Sequence, residues 1–169
     1  VLLYLGLDEL SESEGLDRQH LKIHPNQVDL LEAVAAVNPN VVAVLAGGAP
    51  FETPWIGHCK AVIHGYLSGQ AGAGAMVDAI LGAVNPSGKL AETWPLALAD
   101  TPAHAYYPGR EKTSEYREGP FIGYRYYETA GIPVRFPFGF GLSYTTFAYD
   151  NLLVRPDGVQ FTLANTGTV

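Results

Sequence analysis

Two five-residue apolar runs, Val1-Leu2-Leu3-Tyr4-Leu5 and Val41-Val42-Ala43-Val44-Leu45, limit the folds open to this chain. Neither alternates polar with apolar, so neither suits a sheet with one wet face. A continuous run of this length suits a strand covered on both sides, as in a parallel sheet. Parallel strands need a crossover, and the chain between the runs supplies one. Pro25 is tolerated in the first turn of a helix. Val28, Leu31, Val34 and Ala35 then form an apolar stripe at helical spacing up to Val37. Asn38-Pro39 ends it, because a residue before proline avoids the helical region.

The alternation continues. Ala61 to Leu67 reads as a third strand, followed by a Gly-containing turn and a helix from about Ala71 to Leu81 with Gly82 at its C-terminal cap. Asn85-Pro86-Ser87-Gly88 is a turn, and Lys89 to Trp94 reads as a further strand. The expected class is α/β: a three-layer α/β sandwich with a parallel or mixed sheet. The chain has 169 residues, 47% of them hydrophobic, enough for one core of ordinary size.

Prolines at 95, 102, 108 and 120 then break the pattern, and this stretch, with Tyr106-Tyr107 and residues 111–118, reads as a long loop. Phe121 to Tyr127 reads as an aromatic-rich strand. Its Tyr124, Arg125, Tyr126 and Tyr127 are expected to pack; the alternative is a sugar-stacking platform. The glycines of Phe138-Gly139-Phe140-Gly141 are expected to let the chain turn closely against the sheet. After Thr145 the residues become β-branched and aromatic. Phe147-Ala148-Tyr149 and Val159 to Leu163, either side of Pro156-Asp157-Gly158, read as a hairpin forming a truncated β segment.

Charge and cysteine usage exclude several functions. The net charge is −7 with no basic cluster, which argues against nucleic acid and anionic membranes as partners. No apolar run approaches the ~20 residues of a membrane span. The single cysteine, Cys59, can close no internal disulfide, and the five histidines show no zinc spacing, so neither metal nor cofactor is expected. The chain opens without Met on a buried-type strand and ends as another strand or turn starts. It is expected to be an internal piece of a longer protein. Its strand edges would invite pairing with another chain, so a homo-oligomer is among the expected partners.

Two stretches carry candidate chemistry. Gly69-Gln70-Ala71-Gly72-Ala73-Gly74 lies between a strand and a helix, but its spacing is not GxGxxG, and no acidic residue follows at the required distance. Nucleotide binding is therefore disfavoured. The second stretch leaves the first strand through Gly6 and carries Asp8, Glu9, Glu12, Glu14, Asp17 and Arg18. A carboxylate-rich loop at a strand end suits acid–base chemistry. A solvated acidic loop with an Asp17–Arg18 surface pair is the plainer alternative.

Glu14-Gly15-Leu16-Asp17-Arg18 resembles the loop that carries the acid/base glutamate of glycoside hydrolase family 3, the β-glucosidase family. The resemblance runs on through Ala46-Gly47-Gly48-Ala49-Pro50, Pro54-Trp55, Gly69-Gln70-Ala71-Gly72, Asn85-Pro86-Ser87-Gly88-Lys89-Leu90 and Thr93-Trp94-Pro95. It closes with Gly123-Tyr124-Arg125-Tyr126-Tyr127 and Phe136 to Phe147, in the family's order. It implies a C-terminal α/β-sandwich domain over residues 1–144 and the start of a fibronectin type III-like β domain over 145–169. It implies a retaining glycosidase in which Glu14 is the general acid/base, while Glu12, Asp17 and Arg18 shape the loop or bind substrate. Arg18 is expected to pair with a nearby carboxylate. The implied partners are a β-glycoside or oligosaccharide substrate and a preceding (β/α)8 barrel that supplies the nucleophile. Nothing in this chain matches that barrel, so the chain alone is expected to be inactive. Two alternatives stand beside this. Glu12 and Glu14, about 6.6 Å apart if the backbone is extended, could form a self-contained pair, since retaining enzymes hold their carboxyls about 5–5.5 Å apart. Or the chain could be a non-catalytic carbohydrate-binding or structural α/β module.

Overall fold

The computed structural model describes residues 1–110 and 112–169. Three strands form the central sheet: β1 (Leu2–Gly6), β2 (Val42–Ala46) and β3 (Ala61–His64), ordered β1-β2-β3. All pairs are parallel, with Leu3 opposite Ala43 and Ala43 opposite Val62. The chain is α/β, as its apolar runs require. Between β1 and β2 runs α1 (Pro25–Val37), and α2 (Gly72–Ile80) follows β3.

The core sits on β2 and the inner face of α1. Val41, Ala43, Leu45, Leu31 and Phe51 are essentially inaccessible, with Leu5, Ile23, Trp55 and Trp94 closing the cluster. Val28, Val34 and Ala35 of the α1 stripe pack against it. Two polar contacts fix how α1 meets the sheet. The Gln27 amide accepts from the Gly6 N–H and donates to the Gly6 carbonyl, both at 2.9 Å. Both backbone groups at the end of β1 are thus satisfied where no strand partner is available.

Several strand assignments change. β3 stops at His64, because Gly65 and then Tyr66, at φ +51°, turn the chain away. Lys89 to Trp94 adds no strand to the parallel sheet. Only β4 (Trp94–Pro95) is extended, and it pairs antiparallel with β5 (Val134–Phe136). Phe121 to Tyr127 is not a strand either: Tyr124–Ala130 is a helix, α3, starting after Gly123 and closed by Gly131 at φ +65°. Tyr127 is buried, while Tyr124 lies 4.9 Å from the Phe138 ring. The strand preference of tyrosine yields here to packing on one helical side. Most of 96–120 is loop and turn, with a 3-10 turn at Leu98–Asp100; residue 111 of that loop reading lies outside the described residues.

The Phe138–Tyr144 glycines approach a turn, not the sheet. A Cβ on Gly141 would lie 2.6 Å from the Gly88 carbonyl. Gly139 N–H donates to the Leu90 carbonyl, and the Asn85 side-chain oxygen accepts from Ser143 Oγ and the Tyr144 N–H. The Asn85–Leu90 and Phe138–Tyr144 motifs therefore clasp each other. Beyond them β6 (Phe147–Arg155) and β7 (Gly158–Asn165) form the antiparallel hairpin.

Leu31 is fully buried beneath α1, so Leu31→Ala removes core volume that rigid neighbours cannot refill. The expected loss is about 2–5 kcal/mol, read as a lower urea midpoint at unchanged m-value.

Candidate active site

Parallel strands deliver their C-terminal ends to one edge, and the loops leaving that edge are where open α/β sheets bind ligands. Residues 7–24 leave β1, 47–53 leave β2, and Gly65 to Ala71 leave β3. The acidic stretch is the first of these loops.

It is a series of turns, not an extended segment. Glu12 N–H donates to the Asp8 carbonyl at 3.1 Å, and Leu16 N–H to the Ser13 carbonyl at 3.3 Å. Gly15 sits third in the Ser13–Leu16 turn at φ +82°, as a type II turn requires. The extended geometry needed for a Glu12/Glu14 pair is absent. Glu12 is committed elsewhere, with Oε1 accepting from the Gly48 N–H at 2.7 Å. That bond ties the loop after β1 to the loop after β2.

Other side chains fix the rest of the loop. Asp8 accepts from the Ser11 N–H at 2.7 Å and lies 2.9 Å from the His24 imidazole. The Ser11 bonds and then His24 hold its carboxyl below the usual range. Asp17 is not paired with Arg18. It accepts a 2.5 Å bond from the Tyr107 hydroxyl, which ties this loop to the long loop 90 residues away. The same bond, by favouring the neutral phenol, raises the Tyr107 pKa. Among the described residues Arg18 forms no ion pair, and its terminal guanidinium nitrogens are buried without a hydrogen-bond partner. Burial lowers its pKa, opposed by the charges of Glu12 and Glu52. Glu14, at the second position of the Ser13–Leu16 turn, is exposed and makes no side-chain hydrogen bond among the described residues.

Beneath this edge lies an aromatic cluster that local patterning does not reveal. The His64 ring lies 4.0 Å from Tyr66, 5.0 Å from Trp94 and 5.7 Å from Phe51. Both His64 nitrogens, the Tyr66 hydroxyl and Trp94 Nε1 are buried without partners among the described residues. A cleft of about 430 Å³ is lined by Leu21 and Pro50 of the loops leaving β1 and β2, by Glu92 and Pro102, and by Tyr124 and Arg125 of α3. Burial raises the pKa of Glu92 there. Among the described residues, no three His, Cys, Asp or Glu side chains gather as a metal cluster, and no helix is long and apolar enough to cross a membrane.

The family model described as the glycosyl hydrolase family 3 C-terminal domain matches residues 1–144. The chain belongs to glycosyl hydrolase family 3. Thermostable beta-glucosidase B of Acetivibrio thermocellus is 52% identical over 159 residues, covering 94% of this chain and 21% of that protein. The exo-alpha-(1->6)-L-arabinopyranosidase of Bifidobacterium breve is 47% identical, covering all of this chain and 22% of that protein. Among solved structures, the Bifidobacterium adolescentis GH3 beta-glucosidase superposes with a TM-score of 0.94 at 48% identity, covering 98% of this chain and 26% of that one. The chain thus spans about a fifth of the length of the curated family 3 relatives it matches.

His64 lends this edge a pH dependence. Burial brings its pKa from 6.5 down to about 4, so the unfolded chain binds the extra proton between those values. Stability present above pH 6.5 is then lost progressively as pH falls towards about 4. Urea unfolding across this window should show that decline in the parent chain and a flatter profile in His64→Phe. Parallel profiles would rule out His64 as the source.

Proposed function

We propose that this chain is the acid/base-bearing part of a retaining, β-glucosidase-like glycoside hydrolase, with Glu14 as the general acid/base. The observation that carries the reading is the state of Glu14. It stands exposed, and without a side-chain hydrogen bond among the described residues, on a turn at the C-terminal edge of the sheet, while Glu12 and Asp17 on either side are engaged by Gly48 and Tyr107. Glu9 is exposed too, but it stands outside the Glu14-Gly15-Leu16-Asp17-Arg18 motif that resembles the family's acid/base loop.

Glycosidic cleavage with retention needs a nucleophile on one side of the sugar and a proton donor on the other. Glu14 would protonate the departing oxygen, then deprotonate water to release the sugar from the nucleophile. The nucleophile would come from a (β/α)8 barrel outside this chain. Glu12 and Asp17 would hold the loop's shape. Residues 1–144 would form the sandwich domain, and 145–169 the opening hairpin of a fibronectin type III-like domain. The substrate would be a β-glycoside or oligosaccharide. Two relatives of similar identity carry names with different sugars, a beta-glucosidase and an arabinopyranosidase. This supports sugar choice lying mainly outside the segment they share with this chain.

The isolated chain is expected to show no turnover of aryl β-glycosides above a Glu14→Ala control. Turnover clearly above that control would point to a site complete within these residues.

In the full-length protein, Glu14→Gln should lower hydrolysis of an alkyl glycoside or disaccharide by about 10²–10⁴-fold. The first step on a dinitrophenyl glycoside, whose leaving group needs little protonation, should survive. The second step should then stall, giving a burst of phenol that added azide relieves. Equal losses on both substrates, with no response to azide, would remove Glu14 from the mechanism.

A further inference from the structure

We propose that Arg18 is the positioning residue of the Glu14 turn, an inference that rests on Glu14 being the acid/base. Asp17 and Gln19 are exposed, yet Arg18 between them turns its guanidinium inward until both terminal nitrogens are inaccessible. No hydrogen bond or ion pair among the described residues compensates it there. Among the described residues, the carboxylates near enough for their charge to act on it are Glu12 and Glu52. Each is fixed by a backbone donor: Glu12 by the Gly48 N–H at 2.7 Å, Glu52 by the Leu98 N–H at 3.2 Å.

A buried cation attracted by two anchored anions has little freedom to move. It draws the chain after Glu14 towards the loop that follows β2 and towards Leu98. Glu12 anchors the chain before Glu14 to that same β2 loop. Both legs of the turn are then tethered, and Glu14 is left at the unanchored apex. Such an arrangement does little for folding. A buried charge without hydrogen bonds loses more hydration than distant attraction returns, and apolar replacements at such sites are often neutral or stabilising. Proton transfer, by contrast, is sensitive to position: a displacement of about 1 Å can cost about 100-fold in rate.

The two roles separate in the full-length enzyme. Arg18→Met should keep or raise Tm. It should lower kcat on an alkyl glycoside or disaccharide by about 100-fold, with KM little changed and the first step on a dinitrophenyl glycoside nearly intact. Arg18→Lys, which keeps the charge on a flexible stem, should recover part of the loss. A fall in Tm with equal losses on both substrates would show a merely structural Arg18 and overturn the proposal, as would an Arg18→Met enzyme with unaltered kinetics. Glu14→Gln is measured beside them. If it discriminates between the substrates and Arg18→Met does not, the positioning role alone fails. If Glu14→Gln does not discriminate, the acid/base reading fails and takes this proposal with it.

Discussion

The hydrogen-bond ladders on both sides of β2 are the constraint on which the rest of the structure depends. Among the described residues β2 is the one strand paired on both edges, and Ala43, Val44 and Leu45 are buried along it. Because both neighbours run parallel to it, three strand ends reach a single edge of the sheet. The acidic loop, the Gly47–Thr53 loop and the Gly65–Ala71 loop therefore meet without any direct attraction needed to gather them. The bond from Gly48 to Glu12 refines a meeting that sheet topology had already arranged.

Around that edge the structure treats its carboxylates unequally. Asp8 accepts from Ser11 within its own loop, and Glu12, Asp17 and Glu52 each accept a hydrogen bond from another segment. Each such bond replaces hydration and fixes a side chain, and together they make a loop without regular structure behave as a defined surface. Among the described residues Glu14 is outside this network, the placement that the proposed proton exchange with a sugar beyond the chain calls for. The Gly15 turn gives it that place by bending the backbone where a side chain at the third position would be strained.

Much of the scaffold was legible in the sequence because local pattern alone dictates it. The unbroken apolar runs gave β1 and β2, the Val28–Leu31–Val34–Ala35 stripe gave α1, and the Pro156-Asp157-Gly158 interruption gave the hairpin. What local pattern missed depended on distant partners. Tyr124 to Tyr127 have strand-like side chains, and only the glycines on either side hinted at a helix. Lys89 to Thr93 look extended, yet their hydrogen bonds go to the Phe138–Gly141 turn. The pairing of Tyr107 with Asp17 across 90 residues has no signal in spacing, nor has the inward turn of Arg18. The motif around Glu14 was readable through family resemblance, but the exposure of that residue and the engagement of its neighbours came only from the fold.

The Gln27 contact has a consequence for the open side of β1. In a parallel strand, alternate residues direct both backbone groups to the same side. Leu7 donates inward to Ala46, so Gly6, Tyr4 and Leu2 direct theirs away from β2. At Gly6 the side-chain amide of Gln27, chemically a short piece of peptide, already occupies donor and acceptor. A further strand laid along this edge could share the ladder beside Leu2 and Tyr4 but would run out of partners one step later. Gln27 thus acts as an end-stop for sheet growth. It sets how far any neighbour can advance towards the acidic loop and keeps that loop's exit clear of added β-structure.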